Sequence, residues 1–435
     1  MRGRPPLPGG PYLVVGLARS GIAAALALRA RGEEVIGHDD GDPERSQLRD
    51  AGVELDLDDP LERTRTLIKS PGVPREAAIV REAAQRGLEI IGEVELGWRL
   101  LPNELIAVTG TNGKTTTAEL IAQIHREAGR PVEVAGNVGR PLSSLVGSVE
   151  GEATIICEAS SFQLEDTKAF APDAAVLLNV SNDHLDRHAT FDAYVEAKLQ
   201  AFARQSEGDV AVLPEDFIGQ IGVAARRITF GSAPEAALRD HDGMLSWQGE
   251  PLLAAGEIRL RGAHNRLNAM AAAAVTLARG IEPEAVRTAL QTFPGVAHRL
   301  EELGRRNGVL YVNDSKATNV ASTLVALRSF DPASVHLILG GRGKGQDFSP
   351  LREPVAERCA AAYLIGEDAE ALAAALAGLA LESCGELDRA LAAAAAAATT
   401  GQVVLLSPAC ASLDQFRDFE ARGDRFRELV AELGE

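Results

Sequence analysis

Short apolar runs recur along this chain, each ending in a small or polar turn and followed by residues with helical spacing. They lie at Tyr12–Val15, Thr66–Ser70, Ile106–Val108, 132–137, 153–160, 174–181, 209–214 and 226–231. VLYVN, VHLILGG, AAYLIG and QVVLLSPA continue the series toward the C-terminus. Near-continuous hydrophobicity marks strands buried on both faces, so the pattern predicts an α/β protein built on parallel sheets. EIIGEVELG (Glu89–Gly97) closes the first region. The alanine run 392–398 predicts a helix by propensity, and SPACASLDQFRDFEARGDRF (Ser407–Phe426) is read as another. In parallel sheets, sites gather at the carboxyl ends of the strands. Unusual polar residues fall there: Asn137, Glu158, Asn179 and the pair Asp183-His184.

A length of 435 residues fits about three domains. Leu101-Pro102-Asn103 reads as a linker, and a third region begins around FPGVAHRLE (Phe293–Glu301). The expected division is 1–98, 99–296 and 297–435. A net charge of −18 with no Lys/Arg cluster argues against nucleic acid as a partner. An anionic substrate must then be gripped by local cations and helix ends. Cys157, Cys359, Cys384 and Cys410 are scattered, as reduced cysteines of a cytoplasmic protein would be. No apolar run approaches the ~18 residues of a membrane span. MRGRPPLPGG lacks the apolar core of a signal peptide and is expected to be a short disordered lead.

The most informative string is IAVTGTNGKTTT (Ile106–Thr117). Strand, glycine turn and helix start follow one another, so backbone N–H groups and the positive helix end converge on the turn. Gly110 and Gly113 allow close approach of a phosphate, Lys114 can reach its oxygens, and Thr115 or Thr116 can ligate Mg²⁺. The full G-x-x-x-x-G-K-[ST] pattern needs glycine at 108, where Val108 stands. GLARSG (Gly16–Gly21) opens the chain's first strand–turn–helix, with Ala18 replacing the middle glycine of a dinucleotide fingerprint and Asp39 spaced to meet a ribose. NAD, a UDP-sugar or an empty structural unit remain open for it. Pro71-Gly72 is a further strand-end turn able to touch the same ligand.

Glu158 is an acid at the end of an apolar strand. With Thr115 and His184 it could hold Mg²⁺, or it could be a salt-bridged acid. Lys198, in YVEAKL, reads as a solvated lysine on a helix. Asn265 and Asn268 share a face at a helix start, and their amides suit a nucleobase edge or a helix cap. Asp314–Asn319 (DSKATN) and the glycine-rich Gly340–Phe348, with Arg342 and Lys344, offer charge at strand ends.

Taken together, GTNGKTT, GNVG, EASSFQLE, NVSNDHLDRH, YVEAKL, HNRLN, HRLE, NDSKATN, GGRGKG and SPACASLDQF…FEARG resemble the Mur ligase family over nearly the whole chain. The resemblance implies a Rossmann-like N-terminal UDP-binding domain, a central P-loop ATPase-type sheet and a C-terminal Rossmann-like domain. DSKATN and the last string resemble members that add D-glutamate to UDP-N-acetylmuramoyl-L-alanine. Motif by motif, Gly110, Thr111, Asn112, Gly113, Lys114, Thr115 and Thr116 would hold ATP phosphates, with Asn268, Arg299 and Asp314 on the rest of the nucleotide. Thr115 and Glu158 would approach one Mg²⁺. His184 and Lys198 would serve a second, Lys198 carbamylated by CO₂. Ser20, Asp39, Gly72, Asn137 and His184 would meet the UDP substrate. Lys316, Thr318, Lys344, Ser412 and Phe419 would surround D-glutamate. Arg19 departs from the apolar residue expected in the first turn. The implied catalytic set is Lys114, Glu158, His184 and Lys198, acting in a cytoplasmic monomer through an acyl phosphate. A folylpolyglutamate-synthase-like ligase and an ATP-gated regulatory protein are the rival expectations.

Overall fold

The computed structural model describes residues 3–41, 45–181, 187, 188, 190–217, 222, 224–343 and 345–434. His184 and Lys344, both expected in the site, lie outside the described residues. The chain forms two compact units, Met1–Arg259 with His264–Phe293, and Leu260–Ala263 with Pro294–Glu435.

Two sheets make up the first unit. β1 (Tyr12–Val15), β2 (Val35–His38), β3 (Glu54–Leu55), β4 (Thr66–Lys69) and β5 (Glu89–Gly92) form the first, parallel throughout, in the order β3-β2-β1-β4-β5. Order reverses between β1 and β4, so the turns after these two strands diverge and leave a crevice.

The second sheet contains β6 (Leu105–Thr109), β7 (Val132–Gly136), β8 (Thr154–Glu158), β9 (Ala174–Leu177), β10 (Val210–Pro214), β11 (Arg226–Gly231), β12 (Leu238–His241), β13 (Met244–Trp247) and β14 (Glu250–Ala254). Its order is β14-β13-β12-β11-β10-β9-β6-β8-β7. Val108 of β6 and Gly136 of β7 both pair with Glu158 of β8, which aligns three strand ends around one carboxylate. The expectation of a wholly parallel sheet is corrected at one edge, where β13 pairs antiparallel with both β12 and β14. Those strands are four or five residues long and are joined by tight turns at Gly243 and Gly249, a hairpin pattern rather than a long buried run.

The helix Glu93–Leu100 joins the two sheets. Its Leu96 packs with Tyr12, Val14 and Ile68 of the first core, while Val94 and Trp98 pack with Leu105, Leu142 and Phe170 of the second. Glu95, fully buried on this helix, accepts the N–H groups of Lys168, Ala169 and Phe170 and a 2.6 Å bond from Arg99, so its burial is compensated. The expected disordered lead is also corrected. Arg4 caps this helix's carboxyl end, donating to the carbonyls of Trp98, Leu101 and Asn103, and Thr66 donates to Gly9 O at 2.8 Å. Leu101 and Asn103, read as linker residues, are buried, and Asn103 is bonded to Ala153 O at 2.9 Å.

The second unit holds β15 (Glu301–Arg306), β16 (Val309–Asn313), β17 (Val335–Gly340), β18 (Cys359–Ile365), β19 (Leu381–Gly385) and β20 (Val403–Leu406), in the order β15-β16-β20-β17-β18-β19. All pairs are parallel except β15 with β16. The alanine-rich helix spans Leu387–Ala397, as expected. The helix expected over 407–426 is corrected to Phe419–Glu432, capped by Asp418, whose carboxylate accepts the Ala421 N–H at 2.7 Å. Among the described residues no helix is long and apolar enough to cross a membrane.

Candidate active site

The loop after β6 is shaped by two glycines, Gly110 at φ 154° and Gly113 at φ 88°. Gly113 is the N-cap of the helix Lys114–Glu127 and brings no side chain to occupy its first N–H groups. That leaves the helix end suited to an oxyanion. A Cβ on Gly113 would sit 2.2 Å from Asn268 Oδ1, so the buried amide of Asn268 lies directly on the loop. Asn268 Nδ2 is itself held by Asn265 Oδ1 at 3.1 Å. Gly113→Ala is expected to cost about 1–2 kcal/mol in the left-handed backbone alone. The clash with Asn268 adds to this, and calorimetric titration with ATP should show at least a roughly tenfold weaker Kd. An unchanged Kd in a folded variant would contradict the loop's role.

Two lysines meet on one carbonyl. Lys114 Nζ donates to Gly110 O and Thr111 O, both at 2.9 Å, and Lys198 Nζ donates to Gly110 O at 2.8 Å. Lys198 is 1% exposed and its ammonium lies 4.3 Å from the Tyr194 ring centroid, which corrects the solvated-lysine reading. The helical spacing of YVEAKL did not reveal that this face turns inward. Tyr194 OH is 3.1 Å from Thr111 Oγ1. Asn112 and Asn179 exchange two bonds, of 3.0 and 3.1 Å. The loop is therefore fixed to the segment after β9.

On the other side, Thr115 Oγ1 donates to Glu158 Oε2 at 2.8 Å and Asn137 Nδ2 donates to Glu158 Oε1 at 3.1 Å. Glu158 is 3% exposed, and these bonds compensate its burial. Half-buried Glu119, one turn past Thr115, has its carboxyl raised by burial and further by the charge of Glu158, with Arg126 opposing. Thr115 and Glu158 are hard oxygen donors of the kind Mg²⁺ takes. Lys198 as an amine is not such a donor. Among the described residues, no group of three or more His, Cys, Asp or Glu is arranged to hold a metal.

Asn137 also faces a cavity of about 350 Å³ in the crevice between β1 and β4, lined by Ser20, Asp39, Ser70, Gly72 and Gln163 as well. The four described residues expected to meet the UDP substrate thus share one cavity. Asp39 accepts from Leu17 N at 2.5 Å and Gly41 N at 2.7 Å, so it shapes the first loop as well as facing the space. Gln163, Ser70 and Arg19 line it too, beyond the residues that the motifs imply. Gln163 lies in the EASSFQLE string and accepts the Ser160 N–H at 3.0 Å in a capping box, which holds it at the cavity.

In the second unit the loops after β16, β17 and β20 converge. Arg342 and Ala411 exchange backbone bonds, and Ser407 Oγ donates to Asp314 Oδ2 at 2.8 Å. Lys316 Nζ lies 3.8 Å over the Phe419 ring, and buried Arg422 donates to Ser315 O at 2.9 Å and Cys410 O at 3.1 Å. Thr318 N reaches Lys316 O at 2.8 Å, while buried Ser412 accepts the Phe416 N–H at 2.8 Å. Arg299 is near enough to Asp314 to act on its charge.

Burial pushes the Asp314 carboxyl up to about 7, against the opposing effects of Ser407, the Leu300 N–H and Arg299. The unfolded carboxyl titrates near 3.8. Between those values the folded state keeps a proton that the unfolded chain has lost. Stability therefore falls as pH rises through that window, by up to about 1.4 kcal/mol per unit. Asp314→Asn should flatten the slope of urea midpoint against pH in this range. A slope equal to the wild type's would contradict it.

Sequence profiles match in two places: the Mur ligase middle domain over residues 108–276 and the Mur ligase glutamate ligase domain over 298–410. A UDP-N-acetylmuramoylalanine--D-glutamate ligase from Acidobacterium capsulatum is 40% identical over 446 residues, covering 98% of this chain and 96% of that protein. One of the same name from Solibacter usitatus is 42% identical, covering 96% and 97%. The chain belongs to the Mur ligase family. Among solved structures, MurC from Thermotoga maritima superposes with a TM-score of 0.61 at 20% identity, covering 97% of this chain and 99% of that one. MurF from Acinetobacter baumannii gives 0.60 at 18%, covering 97% and 93%. At that identity they establish the Mur ligase fold. The shortened phosphate loop, with Val108 where the generic pattern has glycine, lies at the start of the matched middle domain.

Proposed function

We propose that this Mur ligase is an ATP-dependent amide ligase that adds D-glutamate to UDP-N-acetylmuramoyl-L-alanine, releasing ADP and phosphate, in the synthesis of peptidoglycan precursor. The full-length identity to relatives of that name supports it. The observation that carries the chemistry is the hydrogen-bonded row Thr115–Glu158–Asn137, which runs from the phosphate loop to the 350 Å³ cavity. A phosphate-binding loop and a substrate cavity share one carboxylate's partners.

The mechanism follows from charge. The substrate carboxylate attacks the γ-phosphorus of ATP; an O–P bond forms, the bond to the β-phosphate oxygen breaks, and ADP leaves an acyl phosphate. Bringing a carboxylate to a triphosphate needs fixed positive charge. Lys114, already folded over the loop, turns its ammonium to the β/γ oxygens, while the helix N–H groups take the rest. Mg²⁺ at Thr115 and Glu158, with a second ion served by His184 and Lys198, would supply further charge neutralisation. Lys198 would join that set as a carbamate, which forms when CO₂ adds to the neutral amine and a proton leaves. Asn268 and Arg299 would address the adenine nucleotide, and Asp314 its ribose or the nucleotide-side closure. Ser20, Asp39, Gly72 and Asn137 orient the UDP substrate. Lys316, Thr318, Lys344, Ser412 and Phe419 hold D-glutamate so that its amine meets the activated carbonyl and expels phosphate.

Segments 1–98, 99–296 and 297–435 serve UDP substrate, ATP and amino acid respectively, in a cytoplasmic monomer whose partners are these small molecules. A coupled ADP-release assay with UDP-N-acetylmuramoyl-L-alanine, offered D-glutamate, L-glutamate, L-lysine or glycine in turn, tests the proposal. ADP release with D-glutamate alone supports it. Release with L-glutamate, or release indifferent to the amino acid, overturns it.

A further inference from the structure

Lys69, the last residue of β4, is fully buried, and the chemistry above makes no use of it. Its Nζ is 2.8 Å from Asp166 Oδ2 and donates to Val73 O at 2.7 Å. Asp166, 3% exposed, also accepts from Arg75 Nε at 3.0 Å, and its carbonyl takes the Gly92 N–H. Asp166 follows the short helix Ser161–Leu164 of the second sheet's lobe, so the pair ties that lobe to the end of β4.

A second cation reaches the same turn from elsewhere in the sequence. Arg187 Nη2 donates to Val73 O at 3.0 Å and Pro71 O at 3.3 Å. Its guanidinium lies 4.7 Å from the Phe162 ring centroid and 3.6 Å from Glu165 Oε1. Pro71, Gly72 and Val73 line the 350 Å³ cavity, and Ser70 Oγ fixes their turn to Gly16 O at 2.6 Å. Two cations, from β4 and from the segment after β9, thus converge on the carbonyls of one cavity wall.

A buried ion pair is a weak source of stability, since an apolar pair of similar volume often serves as well or better. What Lys69 provides that an apolar residue does not is a directed bond to Val73 O. We propose that Lys69 and Arg187 are positioning residues that set the Pro71–Val73 wall against the second sheet's lobe, and so fix the geometry in which the UDP substrate is bound. This rests on reading the cavity as the UDP-substrate site.

The test uses the full chain with Lys69→Met/Asp166→Leu, Arg187→Ala and Arg187→Lys. UDP-N-acetylmuramoyl-L-alanine and ATP are titrated separately by calorimetry, and steady-state constants are measured for each variant. The double variant keeps an apolar pair in place of the ions and should melt within a few degrees of wild type. Its Kd and KM for the UDP substrate should rise about tenfold, with the ATP Kd and kcat at saturation within about twofold. Arg187→Ala, at a partly exposed side chain, should show the same split, and Arg187→Lys should recover part of it. Should the double variant fail to fold, Arg187→Ala alone decides. Unaltered UDP-substrate binding in a folded variant, or equal losses for ATP, overturns the positioning role. A wild-type chain that does not bind the UDP substrate overturns the functional reading and this proposal with it.

Discussion

Lys114→Ala should lower phosphate release by at least about a thousandfold, with the melting temperature little changed. The side chain begins a helix, and its Nζ donates to Gly110 O and Thr111 O, acceptors that water can serve once the amine is gone. The fold therefore loses little. On the proposed mechanism the reaction would lose the cation nearest the ATP phosphates, at the point where three anionic oxygens gather charge. Removing one preorganised donor from such a position typically costs about 3–4 kcal/mol, and a full positive charge lies at or above that range. Phosphate release by stopped-flow and melting by circular dichroism check both halves. Release within about tenfold of wild type would remove Lys114 from the mechanism.

The second large effect is expected at Lys198. Lys198→Met keeps length and apolar bulk against the Tyr194 ring while deleting the amine, so a folded protein with kcat reduced about a hundredfold or more is predicted. The amine shares Gly110 O with Lys114, and its loss removes one of two donors on the carbonyl that begins the loop. The carbamate proposed for Lys198 would add a further consequence. Wild-type turnover should fall when CO₂ and bicarbonate are stripped from the buffer and recover when bicarbonate is returned, and Lys198→Met should respond to neither. Turnover indifferent to bicarbonate would leave Lys198 as an amine that organises the loop.

What was legible in the sequence was local. Strand, glycine turn and helix start adjoin one another in IAVTGTNGKTTT, so the strand, turn and helix there could be read from one window. Glu158 and Asn137 could be placed at strand ends. That they share a hydrogen bond depends on the order β6-β8-β7, which no window contains. The inward face of Lys198 was hidden for the same reason, because helical spacing does not say which side meets another loop. Lys69–Asp166 joins residues nearly a hundred positions apart, and its first partner read as an ordinary strand end. Arg4 belongs to this class as well, since it caps a helix from which the sequence separates it widely. The helix expected over 407–426 failed differently. Asp418 before Phe419 was a visible N-cap signal, and the apolar and aromatic detail upstream drew the boundary too early. The antiparallel strands β12–β14 were missed because such short runs broken by Asp242-Gly243 and Gln248-Gly249 imitate a surface loop.

The most direct measurement follows an oxygen atom. UDP-N-acetylmuramoyl-L-alanine labelled with ¹⁸O in its alanine carboxylate is turned over with ATP and D-glutamate, and the released phosphate is examined by ³¹P NMR. If the substrate carboxylate attacks ATP to give an acyl phosphate, one labelled oxygen leaves with the phosphate. Phosphate free of ¹⁸O, in a reaction that still forms the amide, would contradict the attack on ATP by the bound carboxylate.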